Sequence, residues 1–241
     1  MMIEFNWSSL DRSYLTQLFW EISEEIIGKE LPIKKLHSII STHVKKYLPI
    51  KVAKHNDENV EFGFAYIGGC YYSSLDYDNE KCIELIISYN PFEDKLKISR
   101  HRFKLMSTLF ADTILHEIIH MRQFRRREFK YLPDYASTAE KREKRDEQSY
   151  LGNSDEIDAY AFNSACELVS KFPNDHNRVV KYLNEKQHKS RGKINTWRMY
   201  LKAFDYNHDH RIIQRLKKKI IRYLPYADLG KPYRNRDWIS Q

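Results

Sequence analysis

The order of periodicities along the chain predicts an α+β fold, with N-terminal helices, a small antiparallel sheet, and helices again to the end. Three observations carry this. Apolar residues recur at helical spacing over residues 10–26 and 33–47. Between about 60 and 90 the pattern changes to alternation and short apolar runs. From Arg102 to Glu128 a 3.6-residue apolar stripe returns, with no proline or glycine to interrupt it.

Ser8 or Ser9 is placed to cap the first helix, whose Leu10, Tyr14, Leu18, Ile22 and Ile26 lie four apart, with Gly28 as its stop. Pro32 opens a second helix carrying Ile33, Leu36, Ile39, Ile40, Val44 and Tyr47 before Pro49. Phe62, Phe64 and Tyr66 alternate and run into Ile67–Tyr72, where Gly68 and Gly69 mark a bulge or bend in a strand. Asp76–Asn79 has turn composition, and Cys82–Tyr89 reads as the next strand, closed by Asn90 and Pro91. The long helix then presents Leu105, Leu109, Ile114, Ile118 and Met121 on one stripe. A charged connection over 130–153 contains Pro133 and Gly152. Ser154 is the expected cap of a helix from Asp155 to about Lys171, and further helices are predicted at 175–186, 194–204 and 209–224.

Composition narrows the class. With 241 residues, 41% hydrophobic and 14% aromatic, the chain can bury a core and is too aromatic to be disordered. No apolar run approaches the eighteen or so residues of a membrane span, and the first residues lack the basic and apolar segments of a secretion signal. Three cysteines without paired spacing exclude a disulfide framework and a four-cysteine zinc site, and suit a cytoplasmic protein. The net charge of +8 is unevenly spread. Residues 181–241 hold 16 lysines and arginines against 5 acids, whereas the first 180 hold 25 against 28. The expected organisation is therefore a 1–173 domain that includes the N-terminal helical layer, with a basic helical extension, 174–241, packed on the same unit. The basic side of the extension, in RIIQRLKKKIIRYL, suits an acidic protein or a nucleic acid as partner.

The residues that point to chemistry are His116-Glu117-Ile118-Ile119-His120, an HExxH motif on the long helix. Positions i and i+4 share one helical face, so both imidazoles can reach one cation. Glu117 lies to the flank, where a general base for a metal-activated water belongs. Given ten histidines, chance supplies the motif roughly 0.03 times in a chain of this composition. Zinc suits two imidazoles and a carboxylate. The third ligand is expected on the acidic helix that follows, where Glu156 is the first candidate, Asp158 a second and Asp155 a third. On that helix Glu156, Ala159, Tyr160 and Asn163 share a face.

At this point the chain resembles the gluzincin type of zincin metallopeptidase, in which HExxH on one helix is completed by a glutamate on a later one. The resemblance covers about residues 60–170 and rests on His116, Glu117, His120 and Glu156. The stretch EIDAYAF is similar to the E-x-[ED]-A-x-x-F pattern of minimal gluzincins, including those of phage and mobile elements. The NExxSD form of thermolysin-like enzymes and the metzincin and inverzincin extensions are absent. The resemblance implies a zincin-like fold, Zn2+ held by His116, His120 and Glu156, Glu117 as general acid/base, and a peptide or protein substrate. Tyr135, Tyr150, Tyr160 and His188 are candidate oxyanion donors. The Ile83–Tyr89 strand is the expected edge for an extended substrate, and Asp112 could orient an imidazole. The alternative from another class is a catalytically idle zincin-fold structural or binding protein, such as a phage component, whose basic C-terminal region docks a partner.

Overall fold

The computed structural model describes residues 5–131, 144–185 and 196–232. Over these the chain is a mixed α+β protein, mostly helical, with a small sheet. It divides into two units, Met1–Arg122 and Gln123–Gln241.

In the first unit, Asp11 rather than Ser8 or Ser9 caps the first helix, α1 (Arg12–Trp20), by accepting a hydrogen bond from the Tyr14 amide. The serines instead form a single 3-10 turn. The expected single helix is broken at Glu21–Ile22, and a short α2 (Ser23–Ile26) follows. Gly28 ends it with φ of +76°, a conformation glycine takes without strain. The buried stripe is Leu15, Leu18, Phe19, Ile22 and Ile26, whereas Tyr14 is 43% exposed. Strand β1 (Glu30–Pro32) precedes α3 (Ile33–Tyr47), whose Leu36, Ile40 and Val44 are buried as spacing predicts.

The sheet corrects one expectation. Strands β2 (Lys51–Asn56), β3 (Ala65–Tyr71) and β4 (Ile83–Tyr89) assemble in the order β2-β4-β3. β3 pairs antiparallel with β4, with Ile67 opposite Ile87, but β2 pairs parallel to it, with Val52 opposite Leu85. The sheet is therefore mixed, not purely antiparallel. β4 is its centre, and a central strand has no free ladder groups to offer. Its Ile83, Leu85, Ile87 and Tyr89 are all fully buried, which is why it reads as an apolar run. After β3 the expected turn is a short helix, α4 (Ser73–Tyr77), and β5 (Lys95–Lys97) pairs separately with β1.

The long helix α5 (Arg100–Arg126) is 27 residues long. Phe19 of α1 meets its Phe103 and Phe110 with ring centroids 5.3 and 5.0 Å apart. Arg12 straps the same two helices together through a two-pronged ion pair with Asp112, at 2.6 and 3.0 Å. Asp112 is thus committed to α1, and the expectation that it orients an imidazole is not met.

The second unit begins within the last turns of α5. It contains α6 (Lys144–Gly152), α7 (Ser154–Lys171), α8 (His176–Asn184), α9 (Thr196–Ala203) and α10 (Arg211–Ala227). Asn153, not Ser154, caps α7, accepting from the Asp155 amide at 2.8 Å. α10 lays Ile213, Leu216, Ile220, Leu224 and Ala227 against the unit's core and packs most extensively on α7. Glu167 of α7 caps α9 by accepting from both the amide and the hydroxyl of Thr196. Among the described residues no helix is long and apolar enough to cross a membrane.

Candidate metal centre

The HExxH turn lies where α5 is least tolerant of polarity. Every residue from Ile114 to Met121 is buried. His116 is 7% exposed, Glu117 6% and His120 7%. Helical spacing brings the two imidazoles together, with ring centroids 4.7 Å apart and planes inclined at 75°. Their Nε2 atoms are 3.1 Å apart. Two nitrogens about 2.0–2.1 Å from a tetrahedral zinc would be about 3.3 Å apart, so the pair already stands close to the required bite.

Glu156 completes the group. His116, His120 and Glu156 are all buried, and each offers one ligand atom, with the three atoms within 4.8 Å of one another. Two imidazoles and a carboxylate form a donor set that fits a divalent transition metal. The cluster is thus a group able to hold a metal ion.

The competing acids are engaged elsewhere in the second unit. Asp155 is gripped by Arg127, whose Nη1 and Nη2 each donate to one carboxylate oxygen at 2.7 Å. Asp158 accepts from Lys219 Nζ at 2.6 Å and from Gln123 Nε2 at 3.4 Å. Gln123 also donates to the Asp155 carbonyl at 3.2 Å. These bonds anchor the first turn of α7 and leave Glu156, on a different face from its neighbours, as the acid of the cluster. Sequence alone had left that choice open.

Glu117 sits against the sheet. A Cβ at Gly69 of β3 would stand 2.7 Å from Thr113 Cγ2, 3.1 Å from Glu117 Cγ and 3.2 Å from its Oε1. Only glycine permits this approach, so Gly69 marks close passage of strand and helix, and the unbroken pairing with β4 through Gly68 and Gly69 shows no bulge. β3 is an edge strand of the sheet.

Around Glu156 the second unit supplies tyrosines. Tyr150 shares side-chain hydrogen bonds with Tyr160 and Glu156. Burial, then Tyr160 and Glu156, pushes its phenol far above the ordinary range, so it stays protonated. Tyr200 of α9 is fully buried, with its ring 5.7 Å from that of Tyr160. Burial, then the same two neighbours, raises its phenol likewise. Sequence analysis missed Tyr200, whose position in the apolar stripe Trp197-Tyr200-Leu201 marks it only as core. Of the other candidate donors, Tyr135 and His188 lie outside the described residues. His210 caps α10 through Nδ1, accepting from the Ile212 amide.

No model of a known family, no curated protein and no solved structure matches this chain.

Proposed function

We propose that the protein is a zinc-dependent hydrolase of the gluzincin type that cleaves peptide bonds. One observation carries the reading: a buried His116, His120 and Glu156 group with Glu117 between the histidines. Two imidazoles and a carboxylate gathered in a buried site form a donor set that a single divalent cation satisfies at once. When bound, that cation supplies Lewis acidity and brings the pKa of water in its open position toward neutrality.

The chain's own residues have distinct tasks. His116, His120 and Glu156 hold the ion. Glu117, adjacent in sequence but turned to the flank, takes the proton from the attacking water and passes it to the departing amine. The missing side chain at Gly69 leaves the room beside β3 that its carboxylate occupies. The position of β3 at an edge of the sheet suits an extended peptide added as a further strand. The central position of β4 removes Ile83–Tyr89 from that role. Free thiols at Cys70, Cys82 and Cys166 accord with a reducing compartment, and we place the protein in the cytoplasm.

The test is metal analysis combined with a single carboxylate change. The purified chain is expected to carry one equivalent of zinc and to hydrolyse unstructured protein substrates. Glu117→Gln should keep the metal and lose on the order of 10²–10⁴-fold in turnover. A Glu117→Gln protein with its metal and full proteolytic activity, or a wild-type chain with no stoichiometric metal, overturns the assignment.

A further inference from the structure

Over its whole length, Arg211–Ala227, α10 carries Arg211, Arg215, Lys217, Lys218, Lys219 and Arg222 and not one aspartate or glutamate. Two of these cations have local work. Lys219 pairs with Asp158 at 2.6 Å, and Lys217 donates to Asn184 at 2.8 Å. The other four, Arg211, Arg215, Lys218 and Arg222, are exposed, and among the described residues no acid pairs with any of them. Their 4-3-4 spacing sets them in one row about 16 Å long at 1.5 Å per residue.

A solvated helix face has no need of this pattern. Arg211 with Arg215, and Lys218 with Arg222, are like charges at i and i+4, and Arg215 with Lys218 at i and i+3; both spacings weaken a helix. Arg211 also stands at the positive end of the helix dipole. Interspersed glutamates would relieve all of this, and α10 has none. A neighbouring helix extends the field. His176 of α8 meets Asp228 at 2.8 Å, and Asn184 at its other end meets Lys217, so the two helices run antiparallel. α8 adds exposed Arg178 and Lys181.

We propose that the outward face of α10 binds the phosphate backbone of duplex nucleic acid, independently of the hydrolytic site. A row of cations matches a polyanion carrying one charge per about 1.7 Å of axis. An anionic membrane is disfavoured because the apolar stripe of α10 is already packed on α7, leaving Ile221, 37% exposed, as its one exposed large apolar residue. An acidic protein surface would normally demand apolar or aromatic anchors among the charges, and the row has none. A single strand would need exposed rings for stacking, whereas Tyr223 and Tyr226 are half-buried. Gln214, the amide side chain on the helix, already donates to the His208 carbonyl at 2.6 Å. The face therefore grips backbone without reading bases.

The test uses the full chain and fluorescein-labelled 20-base-pair DNA duplexes of two unrelated sequences, followed by anisotropy between 50 and 200 mM KCl. Four phosphate contacts give a slope of log Kobs against log[salt] of about −3.6 or steeper, alike for both sequences. Arg215→Gln/Lys218→Gln should flatten the slope by about 1.8 and weaken binding at 50 mM roughly 100-fold, with helical circular dichroism unchanged. If that variant does not fold, Arg211→Gln/Arg222→Gln makes the same measurement at the ends of the row. Glu117→Gln should bind as wild type does. A flat salt response, a neutralised row that binds undiminished, or capture by phosphatidylserine vesicles that displaces the duplex overturns the proposal.

Discussion

Two helices of this protein space their polar residues regularly and treat water in opposite ways. α5 buries His116, Glu117 and His120 among isoleucines, leucine and methionine. α10 turns every apolar residue of its main stripe inward and sets four cations in solvent. The two cases differ in what each polar group costs. A polar group carried into an apolar interior must find a partner there, so an all-apolar turn would be the simpler way to build α5. The polar turn on α5 contributes two of the three donors of a group that could hold a metal ion. On α10 each exposed charge costs little by itself, and only the absence of any anion makes the row unusual. A buried polar cluster is evidence by its presence; an exposed row of one sign is evidence by what it leaves out.

The largest perturbation on the buried side is at the anchor of α7. Arg127→Met strands the nearly buried Asp155 carboxylate, whose side chain is 5% exposed. Removing one partner of such a pair costs about 3–5 kcal/mol, to be read from the urea midpoint. If the loss stays below 1 kcal/mol, the pair belongs with the inexpensive surface charges and the contrast between the two helices weakens. Next comes Gly69→Ala, where the added methyl meets Thr113 Cγ2 at 2.7 Å and must displace it or Glu117. Overpacking of this kind costs about 1–3 kcal/mol, and a matching fall in hydrolysis would tie the strand to Glu117.

A histidine outside both helices sharpens the effect of burial. Burial is the main cause holding the pKa of His37 on α3 below 6.5, with Lys45 and Lys54 adding to it and a hydrogen bond to the Ala53 backbone opposing it. Because the folded value is the lower one, the unfolded chain takes up the proton first. This contribution to stability is complete above pH 6.5 and is lost as pH falls below it. Unfolding midpoints at pH 7.5 and 5.5 should therefore differ more for wild type than for His37→Gln. The smallest effect belongs to α10. Arg215→Gln relieves its like-charge contacts with Arg211 and Lys218 of the row and should raise stability by about 0.2–0.5 kcal/mol at low salt, a gain that fades in high salt. A clear loss instead would mean that Arg215 is held by a partner and is not free for phosphate.

Much of this architecture was legible because it is local. Helical spacing alone placed α3, α5 and α7 within a few residues, and the apolar run of β4 announced a strand, though not its central place in the sheet. Two of the failures also have local causes, and a third does not. Spacing of four selected Tyr14, but the adjacent Leu15 and Phe19 face the core, since a stripe at 3.6 residues drifts away from every fourth position. Ser154 is a good cap by type, yet Asn153 one residue earlier has the extended backbone a cap requires. β2, with Lys51, Lys54, His55 and Asn56, has the composition of a loop and becomes a strand only because β4 offers it a ladder. That pairing made β4 central and left β2 and β3 as the edges.

For the candidate site the division is the same. The sequence by itself determined that His116 and His120 share a helical face with Glu117 beside them, because four residues of one helix need no other part of the chain. It also determined that an acidic helix follows. Which acid joins the histidines was decided only by tertiary structure. Asp155 and Asp158 are claimed by Arg127, Gln123 and Lys219, which lie 28 to 61 residues away in the chain. Distances across such separations are set by packing, and no periodicity in the sequence encodes them.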